Sequence, residues 1–179
     1  TEVTPFTGSF DGDGYTISGL TIDRPSEDDV GLFGYTGQPS TIGNVTLTDI
    51  DIAGDDRIGG LVGESNSNVT NVAFDGVVSG DDDVGGLIGE QKSESSRDAS
   101  VSGVMKATDD RVGGLVGDFE GDLITGASAT DLTVNGDDDR VGGLVGDLDT
   151  GLVDNSTVRN AVVNAADNDA GGLVAEIDD

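Results

Sequence analysis

The sequence predicts an all-β protein built as a right-handed parallel β-helix, a β-solenoid of about six coils with three short strands in each. Three observations predict this fold: a six-residue motif that returns at nearly constant intervals, apolar residues at two-residue spacing between its returns, and Gly, Asn or Asp wherever that spacing is interrupted. Two-residue spacing is the periodicity of a β-strand, and a fixed period of this kind is typical of repeat architectures. One repeat domain over residues 1–179 is therefore expected, as a fragment or mature portion of a longer protein.

The six-residue motif supplies an apolar segment to each coil, and its first residues are separated by 28, 26, 28, 29 and 29 positions. The leucine of each copy is expected to stack inward on the leucine of the next coil, where burying each side chain is worth ~1.5 to 3 kcal/mol. The copies are VGLFG from Val30, IGGLVG from Ile58, VGGLIG from Val84, VGGLVG from Val112 and again from Val141, and AGGLVA from Ala170. Their leucines are Leu32, Leu61, Leu87, Leu115, Leu144 and Leu173.

Between the motifs, apolar residues recur at relative positions 0, 3, 5, 8 and 10, which reads as two strands separated by breaks. In the first repeat this frame places Gly12 at position 0, and in the third it places Val77 at position 8. In the fourth repeat Lys106 falls on an inward position, and Met105 is expected to replace it through a one-residue slip. The second repeat follows the pattern with Ile42, Val45, Leu47, Ile50 and Ile52.

The steps of three break the strand alternation twice in each coil, as two corners would. Every residue in these breaks is Gly, Asn or Asp, the residues that best tolerate a left-handed backbone. Crossovers between parallel strands are overwhelmingly right-handed, so the right-handed form is expected. The first break holds Gly14, Asn44, Asn71, Asp98, Gly126 and Asn155. The second holds Gly19, Asp49, Gly76, Gly103, Asp131 and Asn160.

Composition excludes several classes of function. The chain has no cysteine and no histidine, which excludes disulfides, thiolate chemistry and histidine acid–base catalysis. Its net charge of -28 would repel nucleic acid and anionic membranes. No stretch approaches 18 apolar residues, so no membrane-spanning segment is expected. The excess of Asp over Glu and of Arg over Lys is the pattern expected of a protein kept soluble in concentrated salt, with an ordinary acidic secreted protein as the alternative.

The chain also resembles a known family. Its six-residue motifs resemble the GLUG motif, and residues 6–22 (FTGSFDGDGYTISGLTI) are similar to the segment that commonly precedes the first such motif in secreted bacterial and archaeal surface proteins. The resemblance covers residues 5–175. It implies a β-helical extracellular or cell-surface protein, often part of a large adhesin, and it supplies no catalytic residues.

A structural or adhesive module outside the cell is therefore expected, and not an enzyme. Its expected partners are further copies, bound through coil ends or a lateral apolar stripe, and other surface proteins or glycans. A carbohydrate-binding or carbohydrate-active β-helix is the alternative. The basic cluster that such an enzyme could use, Lys92 and Arg97, recurs nowhere in the repeats.

Acidic residues suggest cation sites, with calcium as the candidate ion. Asp11 and Asp13 in FDGDG have the spacing of hard-cation loops, although a structural turn explains them as well. Fourteen aspartates precede the motifs, and stacking at ~5 Å would cost each like-charged pair roughly 0.8 kcal/mol even in water. Either generic salt screening or specific divalent binding could relieve this repulsion. The acidic residues that follow the motifs form a second column that could also bind divalent cations: Glu64, Glu90, Asp118, Asp147 and Glu176. Within the loops, the candidate calcium ligands are Asp81, Asp83, Asp137 and Asp139.

Three Asn-x-Ser/Thr sequons are candidate glycosylation sites, at Asn44, Asn68 and Asn155. Asn44 and Asn155 also occupy predicted corners, where a stacked ladder of asparagine side chains would explain them equally well.

A column of apolar residues next to the motif leucines is a candidate interface. Strand alternation turns it to the face opposite the leucines, where an apolar stripe would require a partner. The alternative is that the Gly-Gly pair forms a bulge or the strand ends at a corner, so that both columns reach the core. The column is Phe33, Val62, Ile88, Val116, Val145 and Val174.

Overall fold

The structure, a computed structural model, describes residues 4–166 and 169–177, and every regular element in these ranges is a β-strand. No helix within these ranges is long and apolar enough to cross a membrane. The strands are β1 (Ser9–Ser18), β2 (Thr21–Asp23), β3 (Phe33–Thr36), β4 (Thr41–Ala53), β5 (Asp56–Gly59), β6 (Val62–Ser65), β7 (Asn68–Gly80), β8 (Asp82–Gly85), β9 (Ile88–Gln91), β10 (Ser95–Arg97), β11 (Ser100–Ala107), β12 (Val112–Gly113), β13 (Val116–Phe119), β14 (Leu123–Thr125), β15 (Ser128–Gly136), β16 (Val141–Gly142), β17 (Val145–Leu148), β18 (Leu152–Asp154), β19 (Thr157–Arg159), β20 (Val162–Ala165), β21 (Ala170–Gly171) and β22 (Val174–Ile177).

The strands pair in parallel and form three sheets, of eleven, five and six strands. From the second coil onward, each coil crosses the eleven-stranded sheet, then the five-stranded sheet and then the six-stranded sheet, whereas the first coil meets the five-stranded sheet only through the isolated bridge from Val30 to Ile58. The prediction of an all-β solenoid of about six turns is confirmed. The five-stranded sheet contains β5, β8, β12, β16 and β21, the six-stranded sheet contains β3, β6, β9, β13, β17 and β22, and the remaining strands form the large sheet.

The core is a set of columns that run along the solenoid axis. In one column Leu47 pairs with Phe74, Phe74 with Val101, and Val101 with Ala129, and all four are buried. Neighbouring strands in a sheet are about 4.8 Å apart, so each apolar side chain packs directly on those above and below it. Burial therefore depends on keeping the coils in register.

The corners have the backbone that their residues predict. All the predicted corner residues except Gly76 have positive φ, for example Asn44 at 54°, Asp131 at 52° and Gly126 at 68°. The second corner is shorter by one residue in the third and fourth coils. There Val78 is 0% exposed and pairs with Ile52, while Val77, the predicted core residue, is 36% exposed.

The expected slip in the fourth coil is confirmed, because Met105 is buried and pairs with Val78 while Lys106 is exposed. The first coil differs from its prediction. Phe10, not Gly12, pairs with Ile42, and residues 12–14 form a bulge opposite Asn44. Gly12 suits this bulge because a Cβ there would lie 2.5 Å from the Asn44 carbonyl oxygen.

The leucine ladder is confirmed in the inner coils, where Leu61, Leu87, Leu115 and Leu144 are all 0% exposed. Leu32 packs against the core from the first coil, and Leu173 is 40% exposed in the last. The predicted inward stacking therefore holds from Leu32 to Leu144, and the exposed Leu173 departs from it.

The predicted interface column is wrong for the inner coils. Val62, Ile88, Val116 and Val145 are each 0% exposed, and Phe33 and Val174 pack against the same core from the end coils. The reason is that the motif bends: its first two residues belong to the five-stranded sheet, its Gly-Leu pair turns the chain, and its fifth residue begins the six-stranded sheet. Both columns consequently reach the core, which was the alternative interpretation.

Candidate functional site

A third corner, which lies immediately before each motif, carries only charged residues. All six have positive φ, from 26° at Arg111 to 58° at Arg57. Aspartate tolerates this backbone, but arginine rarely adopts it, and such strain costs on the order of 1–3 kcal/mol per residue. This charged corner consists of Asp29, Arg57, Asp83, Arg111, Arg140 and Asp169.

A column of carboxylates lies beside the charged corner, on the six-stranded sheet. Each member occupies the third position of its strand and pairs in register with the next coil. The three central members, Glu90, Asp118 and Asp147, are only 7%, 6% and 3% exposed. This carboxylate column consists of Glu64, Glu90, Asp118, Asp147 and Glu176.

The corner arginines connect the carboxylate column to the acidic loops. Arg57 Nε lies 2.6 Å from Asp29 Oδ1, 3.7 Å from Glu64 Oε2 and 3.9 Å from Glu90 Oε2. Each arginine thus pairs with carboxylates on more than one coil, and these partly buried pairs are screened less by salt than surface pairs are.

Arg111 and Arg140 repeat this arrangement. Arg111 pairs with Asp83, and its guanidinium lies 3.0 Å from Asp82 Oδ2 and 3.9 Å from Asp118 Oδ2. Arg140 pairs with Glu176, with Asp110 at 3.1 Å and with Asp147 at 3.5 Å. At these left-handed corners, the arginine side chains bridge the acidic loop and the carboxylate column.

The paired carboxylates nevertheless resist ionisation. Burial raises the pKa of Asp118 to about 8, and the charge of Asp83 contributes in the same direction. Burial and the neighbouring Asp82 raise the pKa of Asp83 to about 7, although Arg111 opposes the shift. Burial and the charge of Glu90 also raise the pKa of Glu64. Asp118 Oδ1 is buried without a hydrogen-bond partner, so the charged form of this group is poorly stabilised.

The ammonium group of Lys92 already lies beside the carboxylate column. Among the described residues, Glu90, Asp118 and Glu120 bring carboxylate oxygens within 4.8 Å of one another. Lys92 pairs with Glu90, and its Nζ lies 3.9 Å from Glu120 Oε1. Calcium favours such oxygen ligands, but an ion here would compete with the Lys92 ammonium group.

The six aspartates predicted as calcium ligands lie outside this cluster. Asp11 Oδ1 accepts hydrogen bonds from the Asp13 backbone N–H at 2.9 Å and from Asn44 Nδ2 at 3.0 Å, as in a structural turn. Asp81 accepts from Thr108 Oγ1, and Asp83 pairs with Arg111. Asp137 is exposed, and Asp139 is half-buried and has an interaction of its own. Calcium binding by any of these residues stays a prediction.

The acidic loops stack as predicted where the structure describes them. The Asp81 backbone N–H donates to the Asp55 carbonyl at 2.8 Å, and that of Asp109 donates to the Asp81 carbonyl at 2.8 Å. Asp167, one of the fourteen aspartates that precede the motifs, lies outside the described residues. Burial and the neighbouring aspartates 28, 55 and 82 raise the pKa of Asp56, as expected for crowded like charges.

The three sequon asparagines differ in their surroundings: Asn44 and Asn68 lie in strands of the large sheet, and Asn155 lies between two of its strands. Asn44 and Asn155 are exposed corner residues, as predicted, whereas Asn68 is half-buried at the start of β7. Asn44 belongs to a side-chain ladder, since its Oδ1 accepts from Asn71 Nδ2 at 2.8 Å. Glycosylation of any of them stays a prediction.

The sequence located aspartates immediately before the motifs but did not predict the left-handed backbone of the third corner, and it did not identify the carboxylate column as buried. A signal for the column was present, because an acidic residue follows the start of each full motif by six positions. Together these features define the chain as an acidic parallel β-solenoid in which arginines neutralise part of a stacked carboxylate edge.

A stretch of 76 residues is 47% identical to halomucin of Haloquadratum walsbyi (strain DSM 16790 / HBSQ001). This stretch is 41% of the present chain and 1% of halomucin, so the similarity concerns a small part of that protein. No family model matches the chain, and the resemblance to the GLUG motif stays a prediction. No solved structure matches it.

Proposed function

We propose that this chain is a structural segment of a cell-surface protein from a halophile, and that it lies outside the cell. The observation that carries the proposal is the continuous parallel stacking of the coils, which makes the chain a short rod. At ~4.8 Å per coil, six coils extend roughly 29 Å, and further coils of the same kind would lengthen the rod without changing its cross-section.

The surface chemistry and the similarity to halomucin support the halophilic and surface parts of the proposal. The acidic side chains of a 179-residue chain with a net charge of -28 repel one another strongly in dilute solution, and salt screens this repulsion. The halomucin match covers 1% of that protein, so the role of this chain in a larger assembly is also part of the proposal.

Adhesive or filament-forming contacts are proposed for the two ends of the solenoid. Tyr15 in the first coil is 74% exposed, and Leu173 and Ile177 in the last coil are 40% and 66% exposed. Open coil ends present unpaired strand edges that favour further pairing, either with other coils of a longer chain or with a second copy.

We further propose that the segment is not an enzyme. The two basic residues that a carbohydrate-active β-helix could use are already engaged: Lys92 pairs with Glu90, and Arg97 donates to Asn68 Oδ1 at 3.3 Å. A surface depression of about 320 Å³ is lined by Asp11, Asn44 and Asn68 among others, and these three make hydrogen bonds within the protein.

Antibody labelling of intact cells that make the protein tests the proposed location. We expect labelling in native salt without lysis, together with no labelling of a cytoplasmic control protein. Labelling that depends on lysis would overturn the proposal. Scattering from the purified chain in the same salt would report whether it is a compact rod of the expected length.

A further inference from the structure

The three sequons differ in whether the acceptor nitrogen is free. N-glycosylation forms a bond to the side-chain Nδ2 of asparagine, so the nitrogen must be accessible and its hydrogen bonds must be dispensable. All three tripeptides meet the sequence requirement, at Asn44-Val45-Thr46, Asn68-Val69-Thr70 and Asn155-Ser156-Thr157. The structure therefore distinguishes sites that the motif alone treats as equal.

Asn44 and Asn68 both use Nδ2 within the fold. Asn44 Nδ2 donates to Asp11 Oδ1 at 3.0 Å. Asn68 is half-buried, and its Nδ2 donates to Glu94 Oε2 at 2.6 Å while its Oδ1 accepts from Arg97 at 3.3 Å. A sugar on Asn68 would have to enter the space between this amide and the Glu94 carboxylate.

Asn155 is different because its neighbour in the corner column lacks a side chain. The adjacent coil places Gly126 at this corner, and no side-chain group of the described residues bonds to the Asn155 amide. Asn155 is exposed and has φ of 46°, so the left-handed corner projects its side chain away from the sheet. The ladder of corner amides seen at Asn44 and Asn71 does not extend to it.

The rest of this sequon is held in place without using Asn155. Ser156 Oγ donates to the Asp154 carbonyl at 2.9 Å and accepts from the Ala127 backbone N–H at 3.2 Å. The Thr157 backbone N–H donates to the Ala127 carbonyl at 2.8 Å, and the Thr157 side chain is exposed. The tripeptide is thus a fixed turn with both recognition side chains, Asn155 and Thr157, on the surface.

We propose that Asn155 is an N-glycan acceptor, and this inference rests on the proposed location outside the cell. The donor is a sugar joined through its C1 to a lipid phosphate. The new bond joins Asn155 Nδ2 to C1, the C1–oxygen bond breaks, the lipid phosphate leaves with that electron pair, and Nδ2 loses one proton. The glycan projects from the corner between β18 and β19.

Tryptic mapping of the protein recovered from the cells that make it tests the assignment. Cleavage after Arg57, Lys92, Arg140 and Arg159 places the three sequons on separate peptides, with Asn155 on residues 141–159. We expect a glycan mass on residues 141–159. We expect the peptides that contain Asn44 and Asn68 to be unmodified.

Three variants, Thr157→Val, Asn155→Gln and Asn44→Gln, test the assignment further. Thr157→Val removes the sequon while it retains Asn155, and Asn44→Gln removes another sequon. The glycan mass should disappear from Thr157→Val and Asn155→Gln and persist in Asn44→Gln. An unmodified 141–159 peptide from a protein that labels on intact cells would overturn this assignment alone. A protein found only inside the cell would overturn the proposed function as well.

Discussion

At the scale of single residues, Asp118 has surroundings that disfavour a charge. It is 6% exposed, its Oδ1 has no hydrogen-bond partner, and burial raises its pKa to about 8. An unfolded aspartate has a pKa near 3.9, so the folded state binds a proton more tightly than the unfolded state. Stability from this group is therefore fully present below about pH 4 and is lost as the pH rises through about 8.

Replacing Asp118 by Asn should remove this dependence. The free energy of unfolding in urea at constant salt should fall between pH 5 and pH 9 for the parent, with Asp83, of pKa about 7, contributing in the same window. Asp118→Asn should lessen the slope and exceed the parent at pH 9 by about 1 to 3 kcal/mol, the cost of an unsatisfied buried polar group. Asp51→Asn, exposed on β4, is the control and should leave the slope unchanged. A parent whose stability rises over this range would contradict the argument.

The leucine ladder gives a second residue-scale prediction. Leu115 is 0% exposed, so Leu115→Asp removes an apolar contact and buries a carboxylate, and we expect a loss of more than about 4 kcal/mol or failure to fold. Leu173 occupies the same column but is 40% exposed at the last coil. Thermal melting of Leu173→Asp should show a much smaller loss. Equal losses in the two variants would mean that the column does not form one core.

At the scale of elements, the corners separate what the sequence could predict from what it could not. The first two corners contain Gly, Asn and Asp where strand alternation breaks, so their left-handed backbone was predictable except at Gly76, where the corner is shorter by one residue. The third corner contains arginine at Arg57, Arg111 and Arg140, and arginine carries no such backbone signal. The apolar pattern also could not predict that the six-residue motif is shared between two sheets, because the bend falls within one continuous run of glycine and apolar residues.

The burial of the carboxylate column was unpredictable for a related reason. Acidic residues ordinarily lie on the surface, so composition argues against burial of Glu90 or Asp118. Burial here follows from the neighbouring charged corner, which covers the column and pairs with it.

In the first coil, the FDGDG bulge has the same composition as a corner, and only the pairing of Phe10 with Ile42 distinguishes the two.

Removing one corner arginine should be costly. Arg111 pairs with Asp82, Asp83 and Asp118, and Arg111→Gln leaves these carboxylates without their shared cation. We expect a loss of about 1 to 3 kcal/mol at low salt, between the values typical of surface and of buried pairs because these pairs are partly buried, and a smaller loss in molar salt. The exposed Arg159→Gln on β19 is the control for loss of one positive charge. A loss in Arg111→Gln no greater than in that control would show that the bridge is not stabilising.

At the scale of the whole molecule, the stacked aspartates should make stability depend on salt. The melting temperature should rise as sodium chloride approaches ~1 M, where the screening length is about 3 Å. A saturable rise at millimolar calcium and low ionic strength would instead identify a specific site, and Glu120→Gln would then test the cluster of Glu90, Asp118 and Glu120. No response to either salt would contradict the repulsion assigned to the acidic edge.

The parallel stacking also determines how the molecule would yield to tension. Hydrogen bonds between coils run along the solenoid axis, so a force applied at the two chain ends loads one coil boundary at a time. Each coil holds about 28 residues, which extend to roughly 95 Å when peeled away but occupy only ~4.8 Å in the rod. Single-molecule stretching should therefore give a series of steps of roughly 90 Å, and one all-or-none rupture would contradict it. Such a segment would lengthen under load and dissipate energy coil by coil, as an extensible tether does.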